Sequence, residues 1–285
     1  MNVLLTGASG FIGSHLARAL RAAGHVVIEA RRETAAGVAA VRADFTRDLS
    51  ARDWMPKLSG VDAVINAVGI QRERGEQTFE RVHKRAPQAL FTACVAAGVR
   101  RIVQISTLGA DRGVSRYFLS KRAADDYLAT LPLDWTIVRP ALVFGPGGAG
   151  TRLLTRLARL PVVPLPGSGE QCLQPLHIDD LTEAVVRLLE EAKLSHARIE
   201  LVGPQSLSLR EVLVELRSEM RLGPPRFIHV PKVLAHAAAH VAALNPRSAL
   251  DTETLSMLEG GSSADPATTR LLLGRPPRPL TSFLH

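Results

Sequence analysis

Val3-Leu4-Leu5-Thr6-Gly7-Ala8-Ser9-Gly10-Phe11-Ile12-Gly13, followed by a helical pattern over residues 14–23, is the stretch that decides the fold. An apolar run, a glycine turn and a helix in that order predict a strand–turn–helix unit. Each glycine has its own physical task. Gly7 permits a tight turn out of the strand. Gly10 has no Cβ, so a diphosphate can lie against the backbone. Gly13 lets the helix pack close to the sheet. The helix N-terminus adds free N–H groups and a partial positive charge, so Ala8, Ser9, Phe11 and Ile12 belong to the same cradle. The expectation is a dinucleotide site at the start of an α/β fold.

Outward from this unit, strands are expected at residues 25–30, 38–42, 61–67, 101–105 and 136–138, with helices at 83–98 and 115–129. That rhythm predicts a doubly wound parallel sheet, with ligands beyond the C-terminal ends of the strands. The second strand ends at Arg31-Arg32. An acid there would suit the ribose hydroxyls of NAD, whereas arginine suits the 2′-phosphate of NADP. Arg31 is therefore read as the phosphate clamp and Arg32 as its assistant; Glu29 is the nearby acid. NADP(H) is the preferred cofactor, with NAD(H) as the alternative. Asp44, with Phe45 beside it, is placed to accept from the adenine amino group. Small residues at Ala67, Val68 and Gly69 let the backbone approach the cofactor.

Past Phe144-Gly145-Pro146-Gly147-Gly148 the alternation ends. Residues 152–160 read as a helix and 162–169 as a Pro/Gly-rich connector. A helix over 181–192 takes Asp179 or Asp180 as its N-cap. A strand follows at 198–202 and a capped helix at 208–221; the rest reads as helical. The chain has 285 residues, is 46% apolar and carries a formal charge of +8. Its basic residues are scattered rather than interleaved with aromatics, which argues against nucleic acid. No apolar run approaches the ~18–20 residues of a membrane span. Met1-Asn2 leads straight into the first strand, and Cys94 and Cys172 lack a CxxC spacing. A cytoplasmic protein with reduced, buried thiols is expected.

The chemistry is concentrated at Tyr117 and Lys121, four apart on one helical face. A phenol has a reference pKa of about 10, and an adjacent ammonium favours its ionised form. A shift of ~3 units needs roughly 4 kcal/mol of differential stabilisation. Thr107 or Ser106, at the end of the fifth strand, would orient a substrate carbonyl or alcohol. The set suits hydride transfer with tyrosine as acid/base. His236 and His240 have metal-ligand spacing, but their Ala-rich flanks make helix packing the expected role and no metal is expected. The apolar helix over 231–244 is expected to dock on the protein rather than on a membrane or a quinone-like lipid. Peripheral membrane or respiratory-complex contact is not the expected partnership, and His177 is expected to be structural.

Thr6-Gly7-x-x-Gly10-x-x-Gly13, Asn66-Ala67-x-Gly69, Ser106-Thr107, Tyr117-x-x-x-Lys121, Arg139-Pro140 and Phe144-Gly145-Pro146 resemble the short-chain dehydrogenase/reductase superfamily. The length and late lobe resemble its extended and atypical branches, which include epimerase/dehydratase-like members. The segment from Val82-His83 through Asp111 is most similar to the nucleotide-binding accessory subunit of mitochondrial complex I. The resemblance implies a seven-stranded Rossmann sheet, with residues 1–145 completed by about 176–202. It implies a smaller α/β substrate lobe from 146–175 and 203–285. It implies cofactor contacts from Gly7, Gly10, Gly13, Arg31, Asp44, Lys121 and the Pro140, Ala141 and Val143 segment. Thr107, Tyr117 and Lys121 are the implied catalytic set, acting on a small-molecule substrate. Pairing of helices 83–98 and 115–129 would make a homodimer; a monomer is the alternative.

Two departures set up further readings. Tyr117 follows Thr107 by only ten positions, so residues 108–116 must form a tight loop, and His83 stands where many relatives carry asparagine. Complex I-type relatives hold NADP(H) without turnover. A non-catalytic assembly or redox-sensing protein is therefore the first alternative. An NAD-dependent nucleotide-sugar epimerase or dehydratase is the second.

Overall fold

Apolar strands that alternate with helices must bury both faces, and β1 (Asn2–Thr6) does so: Val3, Leu4, Leu5 and Thr6 are all inaccessible to solvent. The computed structural model describes residues 1–33, 39–191, 194–243, Leu255, Leu258 and 260–282. These divide into two units, Met1–Arg139 with Thr182–Ile199, and Pro140–Leu181 with the residues from Glu200 onward.

The first unit is built on a seven-stranded sheet. β1 pairs in parallel with β2 (Val26–Arg31) on one side and β4 (Ala63–Asn66) on the other. β2 continues to β3 (Ala40–Arg42), and β4 to β5 (Arg101–Ile105) and β6 (Asp134–Pro140), again in parallel. The strand Ala197–Leu201 closes the far edge. The order reverses direction at β1, which makes the gap between β1 and β4 the topological switch point where such sheets bind ligands. α1 (Phe11–Ala22) follows β1 and buries Gly13, Leu16, Ala17 and Leu20. The short α2 (Ala51–Trp54), α3 (Ala86–Ala97) and α4 (Arg116–Ala129) cover a core that includes Trp54, Leu90, Phe91, Val64, Ile102 and Leu128.

The helix expected from residue 83 starts earlier. A π-helical turn, Glu80–Arg85, leads into α3, and the Ala86 N–H reaches back to the Arg81 carbonyl. Pro87 cannot donate to the turn before it, and a widened turn accommodates that missing bond. The turn carries His83 inward. Val38, Ala192 and Leu244, at which three expected elements began or ended, lie outside the described residues.

The second unit departs further from the sequence reading. Residues 162–169 are not simply a connector: Val162–Pro166 is a strand paired in parallel with Arg226–Val230, a segment expected to be helical. Pro164 and Pro166 read as breakers, yet a two-stranded edge tolerates their missing N–H groups. Asp179 and Asp180 lie inside the helix Ile178–Glu190 rather than capping it. Asp180 is fully buried and accepts from Arg275 Nη2 at 2.8 Å and from the Arg278 backbone N–H at 2.6 Å. The capped helix, in contrast, is as read: Ser208 caps Leu209–Glu219 and forms a capping box with Glu211. This unit's core gathers Phe144, Leu154, Val163, Leu165, Val212, Leu213 and Leu216. Lys232–Ala243 buries Ala235 and Ala239 but leaves Val233 and Val241 exposed. Cys94 is buried, whereas Cys172 is exposed rather than buried. Among the described residues no helix is long and apolar enough to cross a membrane.

Candidate nucleotide-binding and catalytic site

Gly7 takes a left-handed φ of +72°, and a Cβ there would lie 2.7 Å from the Ala67 carbonyl oxygen. Only glycine accepts both conditions. A Cβ at Gly13 would meet the Gly7 oxygen at 2.0 Å, so α1 lies directly on the turn. Gly10 donates to Gly7 O at 2.8 Å and is the N-cap of α1. No side chain caps this helix, and its first turn holds no acid. An uncapped, positively polarised helix end behind a residue without Cβ fits the diphosphate of a dinucleotide. Ser9 and Gly10 are exposed, Phe11 and Ile12 half-buried, and Ala8 buried behind them.

Beneath the switch point lies a buried polar ladder that the sequence reading missed. Thr6 Oγ1 donates to Asn66 Oδ1 at 2.6 Å, and Asn66 Nδ2 donates to Gln104 Oε1 at 2.7 Å. The three residues share one register row across β1, β4 and β5. Each satisfies the next, so polar groups can be buried at the mouth without an unpaired donor. The chain then leaves β4 through Ala67, Val68 and Gly69. A Cβ at Gly69 would sit 3.0 Å from Lys121 Nζ and 3.6 Å from His83 Nε2.

At the other end, Arg31 does not stand alone. Glu29 is 2% exposed and accepts from Arg21 Nη2 at 2.6 Å and from Arg31 through both Nε and Nη2. Burial raises its carboxyl, but the two guanidinium groups outweigh that and hold it below the usual range. Arg32 is exposed. Asp44 spends one oxygen on the backbone N–H and hydroxyl of Thr46, at 2.9 and 2.8 Å. Those bonds, with Arg47 and Arg32 nearby, outweigh burial and lower its carboxyl too. Phe45 is buried edge-on against Trp54.

Tyr117 and Lys121 both lie on α4, and both are buried. The Tyr117 ring meets Phe79, His83 and Phe118 edge-to-face at 5.9, 5.4 and 5.5 Å. Lys121 Nζ donates to Ile105 O at 3.3 Å and to Val68 O at 3.5 Å, the exits of β5 and β4. Burial lowers its pKa to about 8, against the opposing pull of Asp125. His83 is 1% exposed and stacks on Phe79. Its Nε2 accepts from the Ile70 N–H at 2.9 Å, so the ring proton sits on Nδ1 and donates to Ser120 Oγ at 2.9 Å. Ser120 in turn donates to the Tyr117 carbonyl at 2.7 Å. Burial first, and then Lys121, push His83 well below its ordinary value, so it is neutral.

The two strand-end hydroxyls separate. Ser106 is buried and donates to Asp125 Oδ2 at 2.7 Å, while Thr107 is half-buried and makes only a 3.5 Å contact to Leu108 O. Asp125 is fully buried, and Arg139 approaches the same oxygen at 3.4 Å. Burial raises its carboxyl against the Ser106 hydrogen bond and the charges of Arg139, Lys121 and Arg198. The sequence reading missed Asp125. Its signal was available, since Tyr117, Lys121 and Asp125 recur every fourth residue on one face. The loop after Thr107 is tight: Arg112 and Gly113 both donate to Gly109 O, and a Cβ at Gly113 would meet the Phe118 ring at 2.3 Å. Pro140, Ala141 and Val143 belong to the second unit, where Ala141 N–H donates to Leu201 O and Val143 pairs with Leu176.

The NAD dependent epimerase/dehydratase family matches residues 3–203. A ceramide reductase of Caulobacter vibrioides is 29% identical over 243 residues, covering 80% of this chain and 73% of that protein. The mitochondrial NADH dehydrogenase (ubiquinone) 1 alpha subcomplex subunit 9 of Arabidopsis thaliana is 28% identical over 252 residues. That match covers 82% of this chain but 61% of the plant protein, less than two thirds of its length. Among solved structures, the NADPH-dependent quinone oxidoreductase of Escherichia coli complexed with NADPH has a TM-score of 0.76 at 19% identity. It covers 98% of this chain and 97% of its own, a likeness of fold.

Proposed function

The chain belongs to the NAD dependent epimerase/dehydratase family, and from that premise we propose that it is an NADP(H)-binding oxidoreductase with Tyr117 as its acid/base. NAD(H) is the alternative cofactor. The observation that carries this reading is the position of Lys121: a buried ammonium held by the carbonyls at the exits of β4 and β5, one helical turn from Tyr117. When bound, the nicotinamide supplies or accepts the hydride.

The chain's own residues do the rest. The backbone of Gly7–Gly13 holds the diphosphate, and Arg31 with Arg32 faces the adenine ribose. Lys121, with a pKa of about 8, is mostly charged near neutrality and lowers the cost of a tyrosinate next to it. The Tyr117 phenol then passes its proton to a substrate carbonyl oxygen or, in the reverse direction, its phenolate takes one from an alcohol. Thr107 orients that oxygen, since Ser106 is committed to Asp125. His83 spends both ring nitrogens on the protein and so holds the first turn of α4 in place rather than relaying protons. The ceramide reductase relative supports a carbonyl substrate of apolar character. The unpaired thiols Cys94 and Cys172 support a cytoplasmic location.

The test is a titration with NADPH and NADH, followed by nucleotide fluorescence, and then NADPH oxidation against a panel of aldehydes, ketones and quinones. Tyr117→Phe should bind nucleotide normally and lose turnover by at least 100-fold, within the usual range for general acid catalysis of about 10²–10⁴. Unchanged turnover would remove Tyr117 from the chemistry. A second reading, a nucleotide-holding protein without turnover, is favoured by the tight 108–116 loop and the aromatic packing around Tyr117. It gains if NADPH binds and no panel member is reduced. NAD retained through purification would instead favour an epimerase or dehydratase.

A further inference from the structure

Glu29 occupies an unusual position for an acid. It pairs with Leu5 of β1 and Ala40 of β3, so its backbone is held within the sheet. Its carboxylate lies between Arg21, from α1, and Arg31, the last residue of β2. We propose that Glu29 sets the nucleotide preference of this protein by competing with the 2′-phosphate for Arg31. The inference rests on the reading that Gly7–Gly13 binds a nicotinamide dinucleotide.

Each carboxylate oxygen is engaged by an arginine and the side chain is only 3% exposed, so Glu29 is shielded from ribose hydroxyls. It therefore does not act as the acid that selects NAD. Its effect falls on Arg31. A guanidinium binds an anion best through a two-donor edge. Arg31 already presents its Nε and Nη2 edge to Glu29. A 2′-phosphate must use the remaining donors or pull the side chain away. Charge acts in the same direction. Arg21, Glu29 and Arg31 sum to a single positive charge where two arginines alone would offer two. Arg31 can move, because its side chain is 30% exposed, whereas that of Glu29 is 3% exposed. The contest is thus between a fixed internal carboxylate and an arriving phosphate. Arg32, exposed at the next position, supplies charge that Glu29 does not neutralise. The outcome is a modest NADPH preference in which Arg31 is only partly engaged.

The experiment is a double-mutant cycle on the full-length protein, read as dissociation constants for NADPH and NADH by fluorescence. Glu29→Gln keeps the side-chain size and removes the charge. It should tighten NADPH binding by about tenfold and change NADH by no more than about twofold. Arg31→Ala, a change at a partly exposed position, should weaken NADPH by less than about tenfold in the native background and by about 100-fold with Gln at position 29. A loss of 100-fold or more from Arg31→Ala alone would mean that Arg31 is already fully committed to the phosphate, and would overturn the inference even if Glu29→Gln failed to fold. So would an unchanged or weakened NADPH affinity in a folded Glu29→Gln protein. If the native protein binds neither nucleotide, the reading of the site falls and this inference with it; if it binds both and the cycle shows no coupling, the inference alone falls.

Discussion

Substituting alanine for Gly13 tests the turn on which the nucleotide reading depends. The new methyl would be built 2.0 Å from the Gly7 oxygen, 2.5 Å from the Gly7 carbonyl carbon and 2.9 Å from the Ala8 nitrogen. All three are backbone atoms, so no side chain can swing aside. Relief requires α1 to move off the turn by roughly an ångström, towards ordinary contact distances of about 3.5 Å. Overpacking of this kind costs about 1–3 kcal/mol. Alanine's better helix propensity returns up to about 1 kcal/mol. The fold should therefore lose about 1–2 kcal/mol in urea unfolding. Nucleotide affinity should fall further than stability, because helix amides within ~3.2 Å of a phosphate cease to bond once displaced by an ångström. Each charge-assisted bond is worth about 1.5–3 kcal/mol, so one lost bond predicts a drop of at least tenfold. Urea denaturation and NADPH titration of the same preparation give both numbers. A Gly13→Ala protein as stable as the native one, with unchanged affinity, would refute the reasoning.

Three other perturbations follow from the same geometry. Lys121 has its pKa lowered by burial from 10.5 to about 8, so its charge destabilises the fold below pH 8, and stability should rise as pH climbs from about 8 to 10.5. Lys121→Met should be about 1–3 kcal/mol more stable at pH 7 and catalytically dead, with the stability gap closing by pH 10.5; a less stable variant would contradict this. His83 is held neutral, so the unfolded chain takes up a proton that the folded one refuses, and stability should decline as pH falls below about 6.5. His83→Gln should flatten that decline in thermal unfolding across pH 7 to 5, and an unaltered slope would count against the neutral assignment. Asp180→Asn leaves Arg275 and Arg278 without their shared buried carboxylate and should cost about 1–3 kcal/mol, discounted because both guanidinium groups are about a third exposed. Limited proteolysis of the C-terminal segment provides the check, and unchanged resistance would argue that Asp180 contributes nothing there.

Local chemistry determined much of this protein from its sequence. Gly7 and Gly13 announce a turn because backbone conformation at the first and close approach at both leave no other residue suitable, and the strand–helix rhythm carries the doubly wound sheet with it. The Tyr117–Lys121 pair is legible for the same reason, since a four-residue spacing fixes one helical face. The tertiary structure decided whatever depends on partners distant in the chain. Nothing local tells that Val162–Pro166 finds Arg226–Val230, because parallel pairing joins segments with no connecting turn to mark it. His83 became neutral only through its burial and the nearby Lys121, and Ser106 is committed to the interior because Asp125 accepts its hydrogen bond. Arg31 lies at the predicted strand end, but whether its charge is available depends on a carboxylate two residues back and on Arg21 from α1. A sequence fixes which groups are present and how neighbours in the chain are spaced; burial and long-range contact set their protonation, partners and reach.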